Sequence, residues 1–212
     1  MPNAKSRKRT ARERVAAMRA QQRRAQRRRN VMFGLTLAVV LAAGLGGIAW
    51  LVASKSAGGT SAIAGVQSFS GLARTHVQGK VSYPQTPPVG GSHSPVWLNC
   101  GIYTSPVPNE NAVHSMEHGA AWITYRPSLP ATAVTALQNL VRGQPQTKRS
   151  YTVLSPYPGL PAAVVASAWG KQLRLSSASD PRLGQFITAY AQGPQAPEPG
   201  AACSGGVGTP AG

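Results

Sequence analysis

Gly119-Ala120-Ala121-Trp122-Ile123-Thr124-Tyr125, closed by Arg126-Pro127, is an apolar run rich in β-branched and aromatic residues, and it reads as a buried strand. After it, Ser128 can cap a helix with Pro130 in its first turn. Val134, Leu137, Leu140 and Val141 then recur on one face, and Gly143 stops the helix. Tyr151–Leu154 reads as a short strand ended by the turn-rich Ser155-Pro156-Tyr157-Pro158-Gly159. Ala162–Trp169 and Lys171–Leu175 read as a hairpin about Gly170. A last helix opens with Asp180 as cap and Pro181 at its first position, with Leu183, Phe186, Ile187 and Tyr190 at helical spacing. Strands with two amphipathic helices predict a small α+β domain over residues 66–192. Residues 66–112 hold six prolines and few periodic runs, and read as a long ordered loop. The Pro/Gly/Ala-rich stretch 193–212 reads as an irregular tail.

Upstream the character of the chain changes. Residues 1–30 carry twelve of the 22 Lys/Arg and only one acid, Glu13, so the formal charge of +17 is concentrated at one end. Residues 31–53 contain no charge and would extend about 34 Å as a helix, enough for a hydrocarbon core of about 30 Å. Arginines crowd one flank while the other offers Lys55 before a Gly/Ser/Ala linker, 54–65. The expectation is a single-pass membrane protein with a cytoplasmic basic tail and an outer C-terminal domain. Its partners would be the bilayer and, through the tail, anionic lipid headgroups. A cleaved signal peptide, cut near Ala62-Ile63-Ala64, is the competing reading. No aromatic residue interleaves the arginines, which argues against nucleic-acid stacking.

All four histidines, His76, His93, His114 and His118, fall in a short part of the outer domain. His114 and His118 stand at i and i+4, which on a helix puts two imidazoles within reach of one metal ion. Met116 and Glu117 lie in the same turn. A thioether beside imidazole would suit copper, a carboxylate zinc or iron. The expected metal ligands are His93, His114 and His118, completed by His76 or Met116, with Glu117 as ligand or as partner to a ligand. The H-x-x-E-H spacing matches inverted zinc proteases, but Gly119 and a strand follow at once, where those enzymes need a long helix. Ordinary hydrogen-bonding histidines are the bland alternative. Cys100 and Cys203 are the only cysteines. Outside the membrane they would form a disulfide, although a free Cys100 could instead ligate metal.

Pro87-Pro88-Val89-Gly90-Gly91-Ser92-His93, Trp97, Gly101, Tyr103 and Val113-His114-Ser115-Met116-Glu117-His118-Gly119 together resemble a family signature. The likeness continues through Tyr125-Arg126-Pro127, Pro156-Tyr157-Pro158, Ala168-Trp169-Gly170, Phe186 and Ala196-Pro197-Glu198. It is that of domain-of-unknown-function family 3105, common in actinobacteria. The resemblance implies the architecture and marks His93, His114, Glu117 and His118 as motif positions, while bringing no activity. Three functions remain open at this point: a membrane-tethered copper or zinc binding domain, a metal-free envelope scaffold, or a metal-dependent hydrolase or redox enzyme. The first leads, and a non-enzymatic role is favoured over catalysis.

Overall fold

The computed structural model describes residues 62–211. The expected membrane span over 31–53, the basic tail and most of the linker lie outside the described residues. Among the described residues no helix is long and apolar enough to cross a membrane.

Six strands form one mixed sheet: β1 (Gln67–Ser68), β2 (Gly101–Ile102), β3 (Ala121–Tyr125), β4 (Thr152–Pro156), β5 (Val164–Ala168) and β6 (Lys171–Leu175). Their order across the sheet is β1-β6-β5-β3-β4-β2. The apolar run that opened the sequence reading is the central strand β3, buried at every position. β3 pairs antiparallel with β5 and parallel with β4. The parallel neighbour requires a crossover, because parallel strands cannot be joined by a tight turn. Helices α2 (Ala131–Arg142) and α3 (Gln146–Arg149) lie on that crossover. β5 and β6 form the expected hairpin, with Gly170 at φ +66°. Two further helices complete the α+β fold: α1 (Asn109–Glu117) before β3 and α4 (Arg182–Tyr190) after β6.

Period-two alternation along the strands divides the interior into two layers. Ile123, Tyr125, Leu154, Leu173 and Leu175 join Leu137 and Val141 of α2 and Leu183, Phe186 and Ile187 of α4. Trp122 and Val153 point the other way, toward Ala112, Val113 and Met116 of α1 and toward Leu98, Trp169 and Cys203. Fully burying an aliphatic or aromatic side chain is worth about 1.5–3 kcal/mol, so each layer is a substantial source of stability.

Several local details differ from the sequence expectations. α2 starts at Ala131 with Pro130, not Ser128, at its cap, because the fixed proline φ (−55° here, with extended ψ) sets the entry to the helix. α4 begins at Arg182. Asp180 still works at that end, its Oδ1 accepting the Arg182 backbone N–H at 3.0 Å. β4 runs on through Ser155 to Pro156, because Tyr125 pairs with Pro156 and the turn is delayed to Tyr157. The long segment before α1 contains two-residue strands too short to leave a pattern. It is held by single long-range bonds, among them Val77 N–H to His93 O at 2.7 Å. Residues 193–211 carry no helix or strand of their own. They are nevertheless packed on the sheet, with Leu98 bridged to Val207 and Cys100 bonded to Cys203 at a Cα separation of 5.3 Å.

Candidate metal centre

Four chain segments meet at the C-terminal end of α1. The helix contributes His114 and Glu117, one turn apart on one face, with His118 at its C-cap. Met116, two positions after His114, is turned by about 200° at 3.6 residues per turn. It lies fully buried in the second core layer, apart from the donor group. Gly119 then ends the helix at φ +102°. A Cβ there would meet the Gln192 side chain at 2.6 Å, so this abrupt passage from helix to central strand needs glycine.

His76 and His93 come from the second and third, two stretches of the long segment brought side by side by a parallel bridge, with His93 N–H donating to Thr75 O at 3.0 Å. Gly90 and Gly91, at φ +139° and +109°, let this stretch turn inward under Trp169. Two side chains of α1 anchor the segment. Ser115 Oγ donates to Leu98 O at 2.7 Å and accepts the Leu98 N–H at 3.0 Å. Glu110 accepts the Val81 N–H at 3.0 Å and faces Lys80 Nζ at 3.4 Å.

The fourth segment is the C-terminal arm. Glu198 N–H donates to Glu117 O at 3.0 Å, and Gln192 Nε2 donates to His118 O at 3.0 Å. The disulfide fastens the arm just beyond Ala202.

Donor atoms of His76, His93, His114 and Glu117 all lie within 4.8 Å of one another. His118 stands beside them, its Nε2 at 2.9 Å from His114 Nε2. Three of these rings have a defined tautomer. His93 Nδ1 is 2.8 Å from Gly91 O, His114 Nδ1 2.7 Å from Ser94 O, and His118 Nδ1 2.6 Å from Ala202 O. A carbonyl can only accept, so each Nδ1 carries a proton and each ring turns its Nε2 into the site. His93 Nε2 lies 2.9 Å from Glu117 Oε2 and is buried without a hydrogen-bond partner among the described residues. The carboxylate there calls for a proton or a metal cation beside the ring.

Burial pushes the His114 imidazole down to about 4. The Ser94 bond opposes this shift, and the His118, His93 and His76 rings, when charged, add to it. The ring is therefore unprotonated at Nε2 near neutral pH, as a metal ligand must be. Backbone acceptors behind ligating histidines are the common way to orient them and fix their tautomer. His76 lines the open side, with its side chain 51% exposed, whereas the His93 ring is fully buried. Trp97 covers the other side, its ring centroid 5.8 Å from His114 and 5.2 Å from His118.

The structure thus brings all four histidines and Glu117 to one place, and leaves Met116 in the core. Cys100 and Cys203 are disulfide-bonded, so Cys100 is not a free thiol ligand. Sequence reasoning left Glu198 in the tail and out of the expected ligand set, yet its Oε2 lies 3.9 Å from His118 Nε2. Its only signal is the Ala196-Pro197-Glu198 motif in a stretch otherwise read as tail. The three backbone carbonyls behind the rings leave no signal in residue identities. No curated protein and no solved structure matches the chain. Over residues 76–205 it matches the model of a protein family of unknown function, DUF3105, and it belongs to that family.

Proposed function

We propose that this protein is a transition-metal-binding domain, with His76, His93, His114 and Glu117 as the ligand group. One observation carries the reading: donor atoms of three imidazoles and a buried carboxylate lie within 4.8 Å of one another, with the His93 and His114 rings oriented by Nδ1–H bonds to backbone so that Nε2 enters the site. A buried carboxylate among converging ring nitrogens needs positive charge beside it, and a metal ion supplies that charge to all four at once. Zinc is favoured over copper, because the group offers imidazole and carboxylate, and the sulfur that would favour cuprous ion sits in the core. In this reading residues 31–53 anchor the domain in a membrane with residues 54–212 outside, supported by the uncharged run and the basic flank.

A catalytic variant of the same reading draws on the half-exposed His76 edge, which would leave a coordination position reachable by water or substrate. The test is elemental analysis of the full chain, purified in detergent without chelator, beside His93→Ala and Glu117→Ala. Bound metal in the wild type and its loss from both variants, each still showing native circular dichroism, is expected. Absence of metal from the wild type after incubation with zinc would sink the reading and favour a metal-free scaffold.

A further inference from the structure

The donors do not form one even shell. They fall into two trios of the same composition, each with two imidazoles and one carboxylate. In the first, Glu117 Oε2 lies 2.9 Å from His93 Nε2 and 3.8 Å from His76 Nε2. In the second, His118 Nε2 lies 2.9 Å from His114 Nε2 and 3.9 Å from Glu198 Oε2. The trios touch through their rings, since the His114 centroid is 4.9 Å from those of both His76 and His93.

We propose that His114, His118 and Glu198 form a second cation position beside the first, so that the protein holds a pair of divalent transition-metal ions. This rests on the metal-binding reading above and refines it: His114 has one free ring nitrogen and can hold one ion, so His76, His93 and Glu117 keep the first position and His114 passes to the second.

The His114–His118 contact carries the argument. Both Nδ1 atoms donate to backbone carbonyls, at Ser94 and Ala202, so both rings turn Nε2 toward each other. At 2.9 Å the two nitrogens need a shared proton between them, and a divalent ion can take the place of that proton. Zinc would sit about 2.0–2.1 Å from each nitrogen, which places two ligands of one ion about 3–3.5 Å apart. Modest opening of the pair reaches that range. His118 does not belong to the group of four whose donor atoms lie within 4.8 Å of one another, so an ion seated between His114 and His118 would be displaced from His76, His93 and Glu117. Glu198 supplies the neutralising carboxylate. Its backbone is fixed to Glu117 O at 3.0 Å, while its side chain, 60% exposed, is free to swing onto the ion. Two-metal sites hold ions about 3.5–4 Å apart in one small cavity, and contacting ligand trios are what such a site requires. The ligand class is a divalent first-row ion with a preference for nitrogen and oxygen donors.

The experiment is a count. Full chain in detergent is stripped with chelator, incubated with zinc(II) alone, dialysed and analysed for zinc per chain, with parallel samples of Glu198→Gln, His118→Ala and His93→Ala. Two zinc ions in the wild type, falling to one in each variant, support the pair. Glu198→Gln changes an exposed side chain, so its loss of one ion cannot be assigned to misfolding. One ion in the wild type, retained in Glu198→Gln and His118→Ala and lost in His93→Ala, overturns the second position and leaves the first intact. No ion in the wild type overturns both readings. Cobalt(II) substitution adds a proximity check: two equivalents should give a spin-coupled centre whose resonance signal is weaker than twice that of one equivalent. Two uncoupled cobalt signals would overturn the pairing.

Discussion

The two faces of the sheet are built by different means. On one face, α2 and α4 lay apolar stripes against alternate residues of β3, β4, β5 and β6, and the layer is almost wholly aliphatic and aromatic. On the other, a single short helix, a bridged loop and the C-terminal arm surround Trp122, and polar groups are buried among them: Glu110, His114, Ser115, Glu117 and His118. The first face is held by area, which is additive and forgiving. The second is held by a few pins, each joining segments far apart in sequence, and the donor group sits where the pins converge. Functional residues therefore lie on the face where regular secondary structure contributes least.

The sharpest way to separate the faces is to damage one and read the other. Phe186→Ala removes a fully buried ring from the α4 layer and should cost about 3–5 kcal/mol, seen as a fall in the denaturation midpoint. Metal bound per folded chain should stay unchanged, and a proportional loss of metal would show that the two faces are not separable. A Cys100→Ser, Cys203→Ser double variant should cost less, about 2–4 kcal/mol. It should also weaken metal binding, since the arm that bonds His118 through Ala202 is released. Undiminished affinity would show that the arm holds its place without the covalent link.

Ser115→Ala is a finer probe of the same face. It takes the hydroxyl donor from the Leu98 C=O, while the Leu98 N–H keeps Asn111 O, and should cost about 1–3 kcal/mol. It should loosen His93 through the segment that follows it, read as a faster zinc off-rate. The smallest effect belongs to Glu110. Burial works to raise its carboxyl, but the bonds from the Val81 and Glu110 N–H groups and the Lys80 ammonium outweigh burial and hold it below the ordinary 4.5. A depressed value means the charged form is favoured by folding. Its contribution is thus present above about pH 4.5 and disappears as pH falls through the folded value. Glu110→Gln should therefore lower stability by about 1 kcal/mol near neutral pH, with the gap to wild type closing in acid. Urea titrations at about pH 7 and about pH 3 measure both. A gap that persists unchanged in acid would mean that charge is not what Glu110 contributes.

How much could be read in advance follows the same division. β3, the β5–β6 hairpin and helices α2 and α4 announce themselves, because their side chains repeat with the period of the structure they form. β1 and β2 have two residues each and no period to display. Segments 69–100 and 193–211 are organised by distant partners, which local patterns do not encode. At the site, the clustering of four histidines was visible. Met116 seemed a fair candidate by proximity in sequence, and the turn of the helix alone sends it to the core. Glu198 was hidden by its surroundings, since proline and glycine neighbours mark an irregular backbone without saying whether that backbone is pinned.

The carbonyls of Gly91, Ser94 and Ala202 that hold the three rings have an evolutionary consequence. A backbone oxygen belongs to no residue type, so natural selection cannot see it as a letter. What it can see is spacing. The count of residues between Glu198 and Cys203, and between Gly91 and Ser94, fixes where those oxygens stand, and a one-residue insertion or deletion there would misplace them. Ala202→Ser, by contrast, leaves its oxygen in place. Among relatives of this chain, these stretches should tolerate changes of spelling far better than changes of length.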